Sequence, residues 1–132
     1  TVCGITTSNI TKCWGSNQGG EVGDGTTVNK STPTTVSGGD AFVGLTFYCA
    51  FTSSNIYKCW GGNPFGVLGV GNAAMYSVPT VMGDGGNFSF FAANNCGVTP
   101  GQIIKCWGYN ATGVVGDGST TDRYTPTASS GQ

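Results

Sequence analysis

One thirteen-residue phrase occurs three times in the chain: CGITTSNITKCWG from Cys3, CAFTSSNIYKCWG from Cys49 and CGVTPGQIIKCWG from Cys96. The starts lie 46 and 47 residues apart, and Trp14, Trp60 and Trp107, read as the core of each repeat, keep the same two spacings. Each Trp opens a glycine-punctuated loop, WGSNQGGEVGDG, WGGNPFGVLGVG or WGYNATGVVGDG, and a Ser/Thr-rich stretch then leads to Pro33, Pro79 or Pro126. Self-similarity at roughly 40–50 residues marks a solenoid, a propeller or an array, in which a unit buries its apolar face only against its neighbours. The 132 residues are therefore read as one domain, 1–132, with repeat units 3–48, 49–95 and 96–132.

The repeated phrase reads as a hairpin. With Cys49 opposite Cys59, Phe51 faces Tyr57 and Thr52 faces Ile56, leaving the loop Ser53-Ser54-Asn55. The same register sets Cys3 against Cys13 and Ile5 against Thr11 around Thr7-Ser8-Asn9. It also sets Cys96 against Cys106 and Val98 against Ile104 around Pro100-Gly101-Gln102. Three-residue hairpin loops are common, and directly facing residues lie within reach of a disulfide. Alternation puts each Cys on one face with Ile5, Phe51 or Val98 and sends Lys and Trp to the other.

The cysteines are read as three hairpin staples, although spacing alone leaves other connectivities open. Zinc is one alternative, but the chain has no His and no C-x-x-C pair. Free buried thiols in a reducing cytosol are the other. Staples imply an oxidising compartment, extracellular or at the cell surface. Each short loop closed in this way contributes about 2–3 kcal/mol in the chain-entropy picture.

Charge narrows the function classes. Five Lys plus Arg and a net charge of -1 cannot neutralise a phosphate backbone, so no nucleic-acid partner is expected. No apolar run approaches the ~20 residues of a spanning helix, so no membrane insertion is expected. TVCGITT has no basic or apolar leader segment and no initiator Met, which suggests a mature product or a piece of a longer chain. Without His, Ser-His-Asp and Cys-His catalysis are excluded. The carboxylates Glu21, Asp24, Asp40, Asp84, Asp117 and Asp122 stand in no apolar setting that would raise a pKa. No enzyme activity and no cofactor are expected.

WGSN, WGGN and WGYN, with their downstream glycines in register, resemble the regulator-of-chromosome-condensation repeat over essentially the whole chain. The resemblance implies four-stranded blades arranged radially in a β-propeller, usually about seven of them. Mapped here, one blade would comprise Pro79–Val81, Phe88–Ala92, Cys96–Thr99 and Ile103–Gly108. The expected fold class is all-β, with β-propeller-like blades of four antiparallel strands in three repeats, an incomplete propeller or part of a larger array. Family members carry Gly and His before the third strand, where this chain has LTFYCA and AANNCG. The cysteine pairs look like those of secreted, disulfide-bearing relatives, so nucleotide exchange and chromatin binding are not expected.

Surface motifs complete the reading. Asn9, Asn29, Asn87 and Asn110 open N-x-S/T sequons in expected loops, and STPTT and TPTASS could carry O-linked sugar. Asp24 and Asp117 recur in Gly-Asp-Gly, but Val70 holds that place in the second unit, and one carboxylate per loop is too few for calcium. The glycine-rich loops lack the Lys-Ser/Thr that cradles phosphate. Lys12, Lys58 and Lys105 share a strand face with the tryptophans and are expected to lie along the indoles. Phe88, Phe90 and Phe91 cannot all face one side, leaving one as an exposed contact. Together these features suggest a non-enzymatic structural or assembly protein, a filament or coat component with self-association or another protein as partner. The alternative is a secreted propeller that binds another protein.

Overall fold

A computed structural model describes residues 1–92 and 95–131; positions 93–94 in AANNCG, and 132 at the close of the third repeat unit, lie outside the described residues. The described residues form eleven strands and one short 3-10 turn, Pro64–Gly66. The first sheet holds β1 (Val2–Ile5), β2 (Thr11–Gly15) and β3 (Lys30–Thr35). The second holds β4 (Phe42–Leu45), β5 (Cys49–Thr52), β6 (Tyr57–Gly61) and β7 (Tyr76–Val81). The third holds β8 (Phe90–Ala92), β9 (Cys96–Val98), β10 (Ile104–Gly108) and β11 (Arg123–Ala128). Every pairing is antiparallel between strands consecutive in sequence.

The stapled hairpins have the register read from the sequence: Cys3 faces Cys13, Cys49 faces Cys59, and Cys96 faces Cys106. Their loops close through Thr6, Thr52 and Thr99, whose N–H groups donate to the carbonyls of Ile10, Ile56 and Ile103 at 3.0, 3.1 and 3.0 Å. The last loop residue is left-handed each time: Asn9 (φ 58°), Asn55 (φ 59°) and Gln102 (φ 62°). That is the three-residue hairpin with a bulge, and Asn suits the position because it tolerates positive φ.

The blade boundaries differ from expectation. Pro79 lies in β7, which pairs with β6 of its own sheet rather than opening the sheet of β8–β10. The long Trp-Gly loop doubles back on the strand it leaves, because an antiparallel return needs no crossover. The first sheet accordingly lacks a counterpart of β4, and the third ends on its outermost strand, β11.

The core lies between the sheets. One cluster joins Cys13, Val22 and Val36 of the first sheet and its loops to Phe42, Ala50 and Trp60 of the second. The other joins Cys49, Tyr57, Cys59, Leu68 and Met82 to Phe88 and Trp107 of the third. Cys59 and Trp60 are neighbours in sequence yet both buried, since alternation turns them to opposite faces of a sheet covered on both sides. Of the three phenylalanines, Phe88 is fully buried, Phe91 is partly buried and Phe90 is the exposed one.

Candidate functional site

Adjacent blades meet through one joint, built twice. Trp60 donates its indole N–H to the carbonyl of Glu21 at 3.0 Å, and Trp107 does the same to Val67 at 2.9 Å. Beneath each indole lies a glycine: a Cβ on Gly23 would stand 2.7 Å from Trp60 Nε1, and one on Gly69 3.0 Å from Trp107 Cδ1. A second bond crosses the outer edge, from Gly25 N–H to the Ser77 carbonyl and from Gly71 N–H to the Tyr124 carbonyl, both 2.8 Å. Phe42 and Phe88 pack on the two indoles at 5.9 and 5.8 Å between ring centroids. Trp14, expected to share this core role, is only half-buried.

Each long loop is held by one asparagine three residues after the Trp. Asn63 donates to the carbonyls of Asn72 and Ala74 at 2.8 and 2.9 Å and accepts the N–H of Leu68 at 2.9 Å. Asn17 makes the same set with Thr26, Val28 and Val22, and Asn110 with Ser119, Thr121 and Val115. Reading Asn110 as a glycosylation acceptor is therefore corrected: it is 0% exposed, and its carboxamide is committed to the loop. The signal for this anchor was its place in all three Trp-Gly-x-Asn motifs, hidden at Asn110 by the overlapping sequon. Asn9 and Asn87 are exposed, as is Asn29, whose side-chain Oδ1 accepts the Asn17 backbone N–H at 2.9 Å.

The carboxylates have structural partners. Lys58 pairs with Asp40 at 2.7 Å and Lys105 with Asp84 at 2.9 Å, so these lysines reach interblade linkers instead of lying along the indoles. Lys30 pairs with Asp24 at 2.8 Å, and Arg123 pairs with Asp117. Burial pushes the Asp24 carboxyl up, but hydrogen bonds from Lys30 and Thr26 outweigh it and bring its pKa down to about 2. For Asp117, hydrogen bonds from Arg123 and Ser119 do the same, also to about 2. Asp122 accepts the Asn110 backbone N–H and Glu21 that of Gly19. Among the described residues, no group of three His, Cys, Asp or Glu could hold a metal ion.

The strand directions sort the loops to two ends of each blade. One end carries the stapled hairpin loops and the interblade linkers, including Asn9 and Asn87. The other carries the long Trp-Gly loops and the turn between β4 and β5. In that turn Phe47 is 91% exposed and packs edge-on against Tyr48 at 4.9 Å. A crevice of about 480 Å³ lies on one side, toward Glu21 and Trp60, and another of about 640 Å³ on the other, toward Val67 and Trp107. Phe65 and Tyr109, from neighbouring long loops, form a second edge-on pair at 5.2 Å. In the sequence Phe47 and Tyr48 stand out only within LTFYCA, a departure from the family pattern; two adjacent aromatics outside a strand were the available signal.

No family model and no curated protein matches the chain. Solved structures do. Prp20p from Saccharomyces cerevisiae, described with its binding properties to Gsp1p and histones, superposes with a TM-score of 0.77 at 21% identity, over 98% of this chain and 36% of that one. Yeast RCC1 (Prp20) bound to Kap60 gives 0.78 at 19%, over 98% and 35%. Human WBSCR16 gives 0.67 at 17%, over 98% and 37%. The chain thus spans about a third of the length of these proteins. The likeness establishes the fold, β-propeller blades of the RCC1 type, here with a disulfide in each blade's hairpin.

Proposed function

We propose that the chain is a non-enzymatic extracellular structural protein, a component of a filament or surface coat, whose repeat units 3–48, 49–95 and 96–132 act as one body. One observation carries this reading: among the described residues only the middle sheet is covered on both faces, while Trp14 on the outer side of the first sheet is half-buried and Ile104 on the third is 44% exposed. Three disulfides fit an oxidising compartment. The exposed sequons Asn9, Asn29 and Asn87 suit N-linked glycans there. Sedimentation velocity and negative-stain imaging of the purified chain test the reading; concentration-dependent assembly is expected, and a uniform monomer at every concentration refutes it. Mass spectrometry without reduction should find three disulfides, and sugar on exposed sequons but never on Asn110.

A second reading, a secreted module that binds another protein, is favoured by the exposed Phe47–Tyr48 pair between its two crevices. Exposed aromatic clusters are rare on surfaces that meet only water. Replacing Phe47 and Tyr48 by Ser separates the readings. If assembly persists, the aromatic end is not the assembly contact and is left for a different protein.

A further inference from the structure

Both interblade joints are made from the same positions, and those positions exist a third time. Glu21, Val67 and Val114 each stand seven residues after a Trp, and the carbonyls of the first two accept the next blade's indole N–H. Gly25, Gly71 and Gly118 each stand eleven residues after, and the first two donate to the next blade's outer strand. Gly23 and Gly69 lie beneath indoles, whereas a Cβ on Gly116 would meet only Ser129, at 3.4 Å. A Cβ on Gly20 or Gly66 would meet the Cα of Ser77 or Tyr124 at 2.7 or 3.1 Å, yet one on Gly113 would find only the Ser119 carbonyl, at 3.8 Å. The third blade therefore presents the same socket, and among the described residues no indole lies in it. The first blade presents the matching plug: Trp14 at the place of Trp60 and Trp107, and Ser31 at the place of Ser77 and Tyr124.

We infer that the third blade's socket receives Trp14 of a second copy, its indole N–H donating to the Val114 carbonyl while Gly118 N–H donates to the Ser31 carbonyl. This inference rests on the assembly reading and names its contact. The occupant follows from the two filled sockets, which specify an indole on a Gly-flanked strand beside a backbone carbonyl at the outer edge; Trp14 and Ser31 supply both from one face. The contact is heterologous, plug to socket, so copies add in one direction. It is weaker than the internal joints, because Ser129 stands where the first two sockets have the apolar Val36 and Met82.

Two variants test it. Trp14→Ala removes the plug from a half-buried site and keeps the socket. Gly116→Asn fills the socket and keeps the plug; Asn is the side chain that best accepts the φ of +75° there. Sedimentation velocity and acrylamide quenching are followed over concentration. In the wild type, assembly should be accompanied by loss of the quenchable indole, since Trp60 and Trp107 are already 5% and 3% exposed. Each variant should raise the half-assembly concentration at least roughly thirtyfold, the loss of a hot-spot side chain. Mixed in equal amounts, the two should give a dimer and nothing larger. If Trp14→Ala assembles like the wild type, or the mixture stays monomeric, the contact is overturned while the assembly reading survives. A wild type that never assembles overturns both.

Discussion

The second long loop and its two neighbours share one set of asparagine hydrogen bonds and differ in chemistry, and only the second carries the 3-10 turn Pro64–Gly66. In the first and third loops an acid ten residues after the Trp meets a base sixteen residues after it, Asp24 with Lys30 and Asp117 with Arg123. In the second loop these places hold Val70 and Tyr76, both packed against the apolar cluster that contains Leu68 and Met82. The pair changes together, so it behaves as one unit of filler. What does not change is the asparagine, whose three contacts repeat at identical spacings in every loop. The amide anchor is therefore the common support of the three loops, and the ion pair is an interchangeable way of packing its flank.

That division can be broken most directly at the anchor. Asn63→Ala removes the buried amide that holds two loop carbonyls and the N–H of the buried Leu68, and should lower the unfolding free energy by about 2 kcal/mol in urea titrations. Asn17→Ala should cost nearly as much despite its intact Asp24–Lys30 pair; a much smaller loss would make the ion pair the true support. Next comes the staple beside the loop. Replacing Cys49 and Cys59 by Ala should cost about 2–3 kcal/mol, irrespective of whether the adjoining loop is charged or apolar.

Grafting the charge pattern sharpens the contrast. Val70→Asp alone should cost about 1 kcal/mol, and adding Tyr76→Lys should recover part of it, with a coupling below about 1 kcal/mol in a double-mutant cycle. The smallest effect is in acid. Because Asp24 and Asp117 have folded pKa values of about 2 against an ordinary 3.8, their contribution is fully present above pH 3.8 and disappears as pH falls toward 2. Urea midpoints of the wild type should decline through that window. An Asp24→Asn, Asp117→Asn double variant should show a flatter decline, and the grafted loop a steeper one.

Much of the fold was legible because the constraint was local. Period-two alternation and facing cysteines determine a hairpin register without knowledge of the rest, which is why Phe51 against Tyr57 and Val98 against Ile104 were readable. The placement of the proline strands was not, since β7 has an antiparallel neighbour in either scheme and only the path of the long loop decides. The lysine partners escaped for a related reason: Asp40 and Asp84 lie 18 and 21 residues before Lys58 and Lys105, out of register with the repeat. Asn110 misled because one tripeptide served two chemistries, and burial alone chose between them. The aromatic turn at Phe47 and Tyr48 has no counterpart in the other repeats, so no periodic signal announced it.

The hairpin staples also bear on how such a molecule behaves under load. Each covalent cross-link spans ten positions, so a pulled chain cannot yield the segment it encloses, roughly 30 Å of contour apiece. Between the cross-links only hydrogen bonds and apolar contacts resist. Tension would therefore peel whole blades apart at the indole joints before any hairpin opened, and blades that remain intact can dock again when the force is released.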